Sequence, residues 1–247
     1  MAVDFFEDAN QLISGQVFLI NKPYKWTSFD VVRKLKGALS AYYKSFHSGE
    51  SEIRKLKIGH AGTLDPLATG LLILCTGAYT KKISEIQDAE KEYTGTIVLG
   101  GNTDTHDLES IVIPRNNVQM PETDAIHSAA QNFLGKQMQT PPAHSAVKVG
   151  GKRAYQLARQ GKEVEIKPKE IEIKAFEITR IELPSIDFRV VCTKGTYIRT
   201  LAYDFGEVLC TGAYLSALCR TRIGEYKLED ALDPLLFARQ ITDNQVL

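Results

Sequence analysis

The sequence has few of the features that mark secreted or membrane proteins. No run approaches the 18 apolar residues of a membrane-spanning helix, and the longest, residues 17–20 and 71–75, have the length of strands. The N-terminal residues MAVDFFEDAN are acidic and contain no basic stretch followed by an apolar one, so they do not resemble a signal peptide. We predict a cytoplasmic protein without a membrane association.

Cysteine is scarce, and neither sign of charge is in excess. The four cysteines form no CxxC pair, and no histidine lies at zinc-finger spacing, so we expect free thiols. The 30 basic and 30 acidic residues cancel, and 43% of the 247 residues are hydrophobic, which excludes a disordered chain. The length and the absence of a linker composition predict one catalytic domain over residues 1–247.

The usual signatures of nucleotide, zinc and serine-hydrolase chemistry are missing. The sequence contains no GxGxxG, GxxxxGK[ST], HExxH or GxSxG motif. Residues 102–107, NTDTHD, offer two carboxylates and an imidazole, but Asp104 and His106 would share one face of a strand while Asp107 would not. We therefore predict neither a metal nor an organic cofactor.

Basic residues are segregated along the chain although the net charge is zero. Residues 125–162 contain no acidic residue, and neither do residues 188–203. Such segregation is typical of a phosphate-binding surface, and a solvated basic loop is the alternative.

Hydrophobic periodicity predicts a mixture of helices and strands. We expect helices after Thr27-Ser28 and at 121–134, 153–160 and 197–209, and strands at 17–20, 71–75, 93–99, 163–182 and 188–193. Gly135 would end the second helix, and the polar residues 40–57 are typical of a long surface loop. Because strands often follow strands directly, the fold class is α+β with a mixed sheet.

Three segments carry candidate chemistry. The glycine-rich loop 59–70, GHAGTLDPLATG, presents His60 and Asp65, although alone each is more typical of a structural imidazole and a turn residue. Residues 194–200, KGTYIRT, open a helix where Arg199 could pair with a carboxylate and keep it ionised. Tyr93 begins a strand and could equally be a packing residue.

These segments closely resemble the successive motifs of one family. HAGTLDPLATG, KxYTGTIVLG…TDTHD and KGTYIRTL are similar to motifs of the bacterial tRNA pseudouridine-55 synthases, the TruB family. NKPYKWTSFDVV (21–32) and TPPAHSAVKVGGKRAYQLARQG (140–161) extend the resemblance to about residues 15–236. The loop sequence GTLDPLATG is that of stand-alone bacterial enzymes, whereas the guide-RNA-dependent relatives tend to have GTLDPKVTG.

The resemblance implies a fold and a reaction. The fold would be that of pseudouridine synthases, a central mixed, largely antiparallel sheet flanked by helices, with an RNA-gripping insertion at about 140–168 and no C-terminal PUA domain. The enzyme would be a cofactor-free isomerase that flips uridine 55 out of the T arm of tRNA, detaches the uracil and rejoins it through carbon. Its partner would be tRNA, with no obligatory protein partner, and the chain would act as a monomer.

The resemblance also assigns residues. Asp65 would be the nucleophile, toward either the ribose or the base, Tyr93 would stack on the uracil, and Arg199 would ion-pair with Asp65. The other residues that would contact the substrate are His60, Tyr197, Lys194, Leu218 and Asp107. Those that would contact RNA phosphates are Lys148, Lys152, Arg153 and Arg159.

Some features depart from the family pattern and leave alternatives. Residues 40–57 are longer than usual and could replace RNA contacts of a missing PUA domain through Lys44, Arg54, Lys55 and Lys57. His144 stands where relatives often have an aromatic residue. A tRNA-binding chaperone, and a glycoside-type hydrolase that uses Asp65 with Asp104 or Asp107, are the two rival functions.

Overall fold

The computed structural model describes residues 10–46, 56–145, 147–162 and 164–243. The chain divides into two compact units, which we call unit 1 (residues 1–89 and 219–247) and unit 2 (residues 90–218). None of the described helices has the length and apolar content needed to cross a membrane.

The helices and strands are as follows, in chain order. The helices are α1 (Gln11–Ser14), α2 (Ser28–Phe46), α3 (Ile83–Asp88), α4 (Thr123–Asn132), α5 (Ala154–Ala158), α6 (Ile198–Val208) and α7 (Pro234–Asp243). The strands are β1 (Val17–Lys22), β2 (Ile58–His60), β3 (Thr69–Thr76), β4 (Lys91–Leu99), β5 (Gly101–Asn102), β6 (Ile113–Pro114), β7 (Gly135–Gln139), β8 (Lys148–Val149), β9 (Lys152–Arg153), β10 (Lys169–Glu182), β11 (Ser185–Cys192), β12 (Ala213–Ile223) and β13 (Tyr226–Lys227).

The sheet of unit 1 is organised around β3. Strands β1 and β2 pair with β3 in antiparallel register, while Cys219 and Arg220 of β12 pair with the start of β3 in parallel. Alternate residues of β3 enter two different hydrophobic clusters: Leu72 and Leu74 pack with α2 and α7, and Leu71, Ile73 and Cys75 pack on the opposite face. Because both faces are covered, β3 is a nearly continuous apolar run, as the sequence predicted.

Helix α2 begins with a reciprocal cap and is longer than expected. The Asp30 N–H donates to Thr27 Oγ1 (3.0 Å) and the Thr27 N–H donates to Asp30 Oδ2 (2.9 Å). The prediction of a loop from residue 40 is wrong for residues 40–46, because Tyr42 and Tyr43 continue the buried face of the helix. The rest of that predicted loop, residues 47–55, lies outside the described residues.

Unit 2 contains an antiparallel sheet and an aromatic core. The first part of β12 is followed by β4, β11, β10 and β7, and β4, β11, β10 and β7 pair in antiparallel register. Phe176 of β10 lies at the centre of the core, with ring centroids of Phe188, Phe205 and Phe133 at 5.8, 5.4 and 6.2 Å. The prediction of a mixed, largely antiparallel sheet is confirmed.

Three details of the sequence-based assignment are corrected. Gly135 begins β7 instead of ending α4, although its φ of 90° is one that glycine adopts readily. The run of strands expected over 163–182 is a single strand that begins at Lys169, and residue 163 lies outside the described residues. Strand β12 was not predicted, because its burial alternates irregularly where it passes from unit 2 into unit 1.

Gly70 is expected to be irreplaceable for stability. Its φ is +100°, and a Cβ there would lie 2.4 Å from the Arg220 carbonyl oxygen. We expect Gly70→Ala to lower the free energy of unfolding by about 2–4 kcal/mol, from backbone strain and overpacking together. Gly37→Ala is the control, because a Cβ there would meet no atom within 4 Å and alanine favours the helix by about 1 kcal/mol. Equal urea midpoints for the two variants would contradict this expectation.

Candidate active site

The glycine-rich loop of unit 1 connects β2 to β3 and holds Asp65 half-buried. The Ala61 N–H donates to the Ile73 carbonyl oxygen (2.8 Å), and the Ala68 N–H donates to the Asp65 carbonyl oxygen (3.1 Å). Asp65 therefore opens a turn through its backbone carbonyl. The turn role and the catalytic role that the sequence left as alternatives are compatible.

A serine at the start of α2 fixes the residue before Asp65. Ser28 is 2% exposed, and its Oγ accepts from the Leu64 N–H (2.9 Å) and donates to the Leu64 carbonyl oxygen (3.2 Å). One side chain thus satisfies both backbone groups of Leu64, which limits the positions that Asp65 can adopt.

A buried lysine lies beneath the same loop. Lys22 is fully buried, and its Nζ donates to the carbonyl oxygens of Pro66 (3.2 Å), Trp26 (2.5 Å) and Pro23 (3.0 Å). Burial lowers the pKa of Lys22 to about 8, while the negative charge of Asp65 acts in the opposite direction. The sequence analysis did not single out Lys22, although the NKP turn was part of the resemblance.

Arg220 is a second buried cation at this loop that sequence reasoning missed. It is 1% exposed and donates from Nη2 to the Gly62 carbonyl oxygen (3.1 Å) and from Nε to the Leu71 carbonyl oxygen (2.8 Å). Its charge also acts to lower the pKa values of Lys22 and His60. Burial is the largest cause of the lowered pKa of His60, which favours the neutral imidazole.

The low pKa of Lys22 predicts a pH-dependent contribution to stability. Between about pH 8 and the ordinary value of 10.5, the unfolded chain keeps the Lys22 proton that the folded chain releases. Because the unfolded state then binds more protons, the free energy of unfolding rises with pH across this window. We expect the free energy of unfolding of wild type, relative to that of Lys22→Met, to rise from pH 8 to pH 10, as measured by urea denaturation. The unfolding free energy of wild type relative to Lys36→Met, at an exposed lysine, should not change over this pH range. If Lys22→Met shows the same pH dependence as Lys36→Met, the lowered pKa of Lys22 is refuted.

In unit 2, Arg199 forms a buried pair with Asp107. Arg199 lies in the first turn of α6, and its Nε is 3.6 Å from Asp107 Oδ2, with each side chain 6% exposed. The guanidinium also donates to the carbonyl oxygens of Thr105 (2.8 Å) and His144 (3.1 Å). Two residues of the predicted site are thus brought together, whereas the pairing of Arg199 with Asp65 stays a prediction.

The loop that carries Asp107 is held by its own side chains. Asp107 Oδ1 accepts from the Glu109 N–H (3.0 Å), and His106 stacks on Tyr203 with ring centroids 4.3 Å apart. Burial lowers the pKa of His106 to about 4, so the ring is neutral at neutral pH. In the part of the chain that the structure describes, no three histidine, cysteine or acidic side chains are grouped to hold a metal ion.

The other predicted substrate residues of unit 2 lie on the sheet and at the start of α6. Tyr93 is buried on β4, opposite Val190 of β11. Tyr197 precedes α6; its N–H donates to Gln139 Oε1 (2.8 Å), and Lys169 Nζ lies 4.8 Å from its ring centroid. Lys194 is exposed in the turn before α6, and Leu218 is half-buried on β12. The Gln139 side chain, at the end of β7, bonds to both backbone groups of Tyr197, and the sequence analysis did not single it out.

The predicted RNA-contact residues lie around a small hairpin and α5. Strands β8 and β9 pair Lys148 with Arg153, and Gly150 and Gly151 both have positive φ, as the tight turn requires. Lys148, Lys152, Arg153 and Arg159 are all exposed, and the Arg159 guanidinium lies 5.6 Å from the Tyr155 ring centroid. The geometry is compatible with phosphate binding, since the charged groups face solvent.

The mixed sheet and its flanking helices are those of a pseudouridylate synthase. The signature of the N-terminal domain of the TruB family of pseudouridylate synthases matches residues 51–198, and the chain belongs to this family. The chain is 49% identical to tRNA pseudouridine synthase B of Flavobacterium johnsoniae, over 94% of this chain and 98% of that protein. It is 47% identical to tRNA pseudouridine synthase B of Bacteroides fragilis, over 94% of this chain and 96% of that protein. The resemblance seen in the sequence is confirmed.

Solved structures agree with the fold. The chain superposes on a protein in a crystal structure of a Cbf5-Nop10-Gar1 complex with a TM-score of 0.65 and 28% identity, over 90% of this chain and 52% of that one. A chain in the structure of an H/ACA RNP bound to a substrate RNA containing 2'-deoxyuridine superposes with a TM-score of 0.66 and 24% identity, over 94% of this chain and 55% of that one. This second match supports the fold alone. This chain therefore spans about half the length of these solved relatives.

Proposed function

We infer that this chain converts uridine 55 in the T arm of tRNA to pseudouridine. The observation that carries the inference is the 49% identity, over nearly the whole of both chains, to a tRNA pseudouridine synthase B. The reaction breaks the bond between C1′ of the ribose and N1 of uracil and forms a bond between C1′ and C5. The C5 hydrogen leaves as a proton and N1 gains one, so the isomerisation is redox-neutral and no cofactor is part of the proposal.

The aspartate loop supplies the nucleophile in this proposal. The Asp65 carboxylate attacks the flipped nucleotide. Its loop is held by the side chains of Ser28 and Lys22, which bond to backbone groups of Leu64 and Pro66 and keep the attacking oxygens in place. The flipped base needs an apolar platform, which Tyr93 and Leu218 provide. His60, Lys194 and Tyr197 bind the nucleotide around it.

Unit 2 contributes a buried cation and a phosphate-binding surface. Arg199, held by Asp107, provides a fixed positive charge for the carboxylate and the displaced uracil. Lys148, Lys152, Arg153 and Arg159 bind phosphates, so affinity for tRNA falls as salt rises. The insertion at about 140–168, the monomeric state and the cytoplasm as the site of action belong to the same proposal.

The test is site-resolved detection of pseudouridine in an unmodified tRNA transcript after incubation with the purified chain. We expect conversion at uridine 55 and none in a transcript with cytidine at that position. A glycoside-type hydrolase would instead release free uracil, which chromatography detects. Tight tRNA binding with neither product would refute the enzyme and favour an RNA-binding chaperone.

A further inference from the structure

Unit 1 contains a groove that the reaction above does not use. It has a volume of about 780 Å³ and lies between α2 and α7, lined by side chains drawn from residues 25–41 and 238–242. We call it the α2–α7 groove. Its basic lining residues are Lys25, Arg33, Lys34 and Arg239, and its acidic one is Asp30. Because Asp30 is paired with Arg33 (2.7 Å), the net charge of the groove is positive.

The floor of the groove is open to close approach. Gly37 lies in the interior of α2, lines the groove, and a Cβ there would meet no atom within 4 Å. Glycine inside a helix costs about 1 kcal/mol relative to alanine, so helix stability does not account for it. Ala38 and Ala41 continue this small floor, which leaves room beneath the basic rim for a bulky anionic chain.

One end of the groove adjoins the aspartate loop. Lys22 Nζ donates both to the Trp26 carbonyl oxygen, at the groove, and to the Pro66 carbonyl oxygen, next to Asp65. The two segments are therefore tied to one ammonium group. Tyr24 and Phe29, which are 50% and 65% exposed, are near neighbours of Trp26 in the chain and provide rings on which bases can stack.

We propose that the α2–α7 groove binds the phosphate backbone of the substrate RNA beyond the flipped uridine. The proposal rests on the function inferred above, because it extends the path of an RNA whose uridine lies at Asp65. Residues 28–41 of α2 span about 20 Å, at 1.5 Å per residue, which is long enough to lie along several phosphates of one RNA strand. An RNA strand is favoured over an acidic protein because Trp26, which lines the groove, and Pro66, next to Asp65, are bound by the same Lys22 ammonium group.

The cations of the groove make the proposal testable. Within the described residues, no carboxylate lies at ion-pair distance from Lys34 or Arg239. We expect the double variant Lys34→Glu/Arg239→Glu to raise the Kd for an unmodified tRNA transcript by at least about tenfold at low salt. The slope of log Kd against log salt should fall by about two, one for each phosphate that the variant no longer neutralises.

The matched control is Lys36→Glu/Lys81→Glu, which makes the same change of charge at exposed sites of unit 1 outside the groove. The neutral pair Lys34→Gln/Arg239→Gln should show a smaller loss in the same direction, and it keeps the test available if the reversed charges impair folding. A Kd within twofold of the control, with the salt slope unchanged, overturns the proposal. If wild type binds this tRNA but forms no pseudouridine, the proposed function fails instead, which the conversion assay reads separately.

Discussion

Asp65→Asn is expected to lower the rate of pseudouridine formation by at least about 10⁴-fold, because an amide is not an effective nucleophile. The substitution preserves the shape of the side chain. The loop is held mainly through backbone groups, including the Leu64 bonds to Ser28 and the Asp65 carbonyl bond to the Ala68 N–H, so the fold should survive. The measurement is a single-turnover rate on tRNA labelled with tritium at C5 of uridine, since tritium leaves only when the new carbon bond has formed.

Asp104→Asn is the matched control for this loss. Asp104 is an exposed carboxylate on the loop of unit 2, and a hydrolase that pairs it with Asp65 would depend on both. We expect the Asp104 variant to retain the rate of wild type. An Asp65 variant that keeps a tenth or more of the rate would show that the nucleophile lies elsewhere.

Asp107→Asn should produce the second large effect, on both rate and stability. Asp107 and Arg199 are each 6% exposed, so the substitution removes the Asp107 charge from beside a buried guanidinium. Breaking such a pair costs about 3 kcal/mol of unfolding free energy. The asparagine can still accept from the Glu109 N–H, so the loop keeps its turn while Arg199 loses one of the groups that hold it in place. We expect the single-turnover rate to fall by about 10²-fold, comparable to the removal of one preorganised charged group.

Two further variants separate positioning from folding. Arg199→Lys keeps the charge but loses the bonds to the Thr105 and His144 carbonyl oxygens, so its rate should fall although the charge pair with Asp107 can persist. Glu177→Gln breaks an exposed pair with Arg189 and should cost less than about 1 kcal/mol, with no loss of rate. An Asp107 variant that loses stability but keeps its full rate would make the pair structural only.

The local elements of the fold could be predicted from the sequence because their causes are local. The apolar run of β3 and the helix that follows Thr27-Ser28 were predicted, because both depend on neighbours a few residues away. The continuation of α2 to Phe46 was missed because its outer residues are polar, and only burial of Tyr42 and Tyr43 against the core favours the helix there.

The candidate site was predicted in part, and the missing part has one cause. The loop of Asp65 and the helix start of Arg199 were found because each is a contiguous motif. Lys22 and Arg220 were missed because their partners at the loop lie 44 and 158 positions away. No periodicity or spacing encodes such a distance.

By itself, the sequence determined the family, the segments that carry the chemistry and the mixed fold class, since these depend on contiguous motifs and on periodic burial. Only the tertiary structure decided that Asp107 lies against Arg199, that Lys22 is buried beneath Pro66, and that the basic side chains of α2 and α7 share one groove. Those contacts depend on the path of the chain through the core, and burial there turns charges that would be solvated in a loop into paired or pKa-shifted groups.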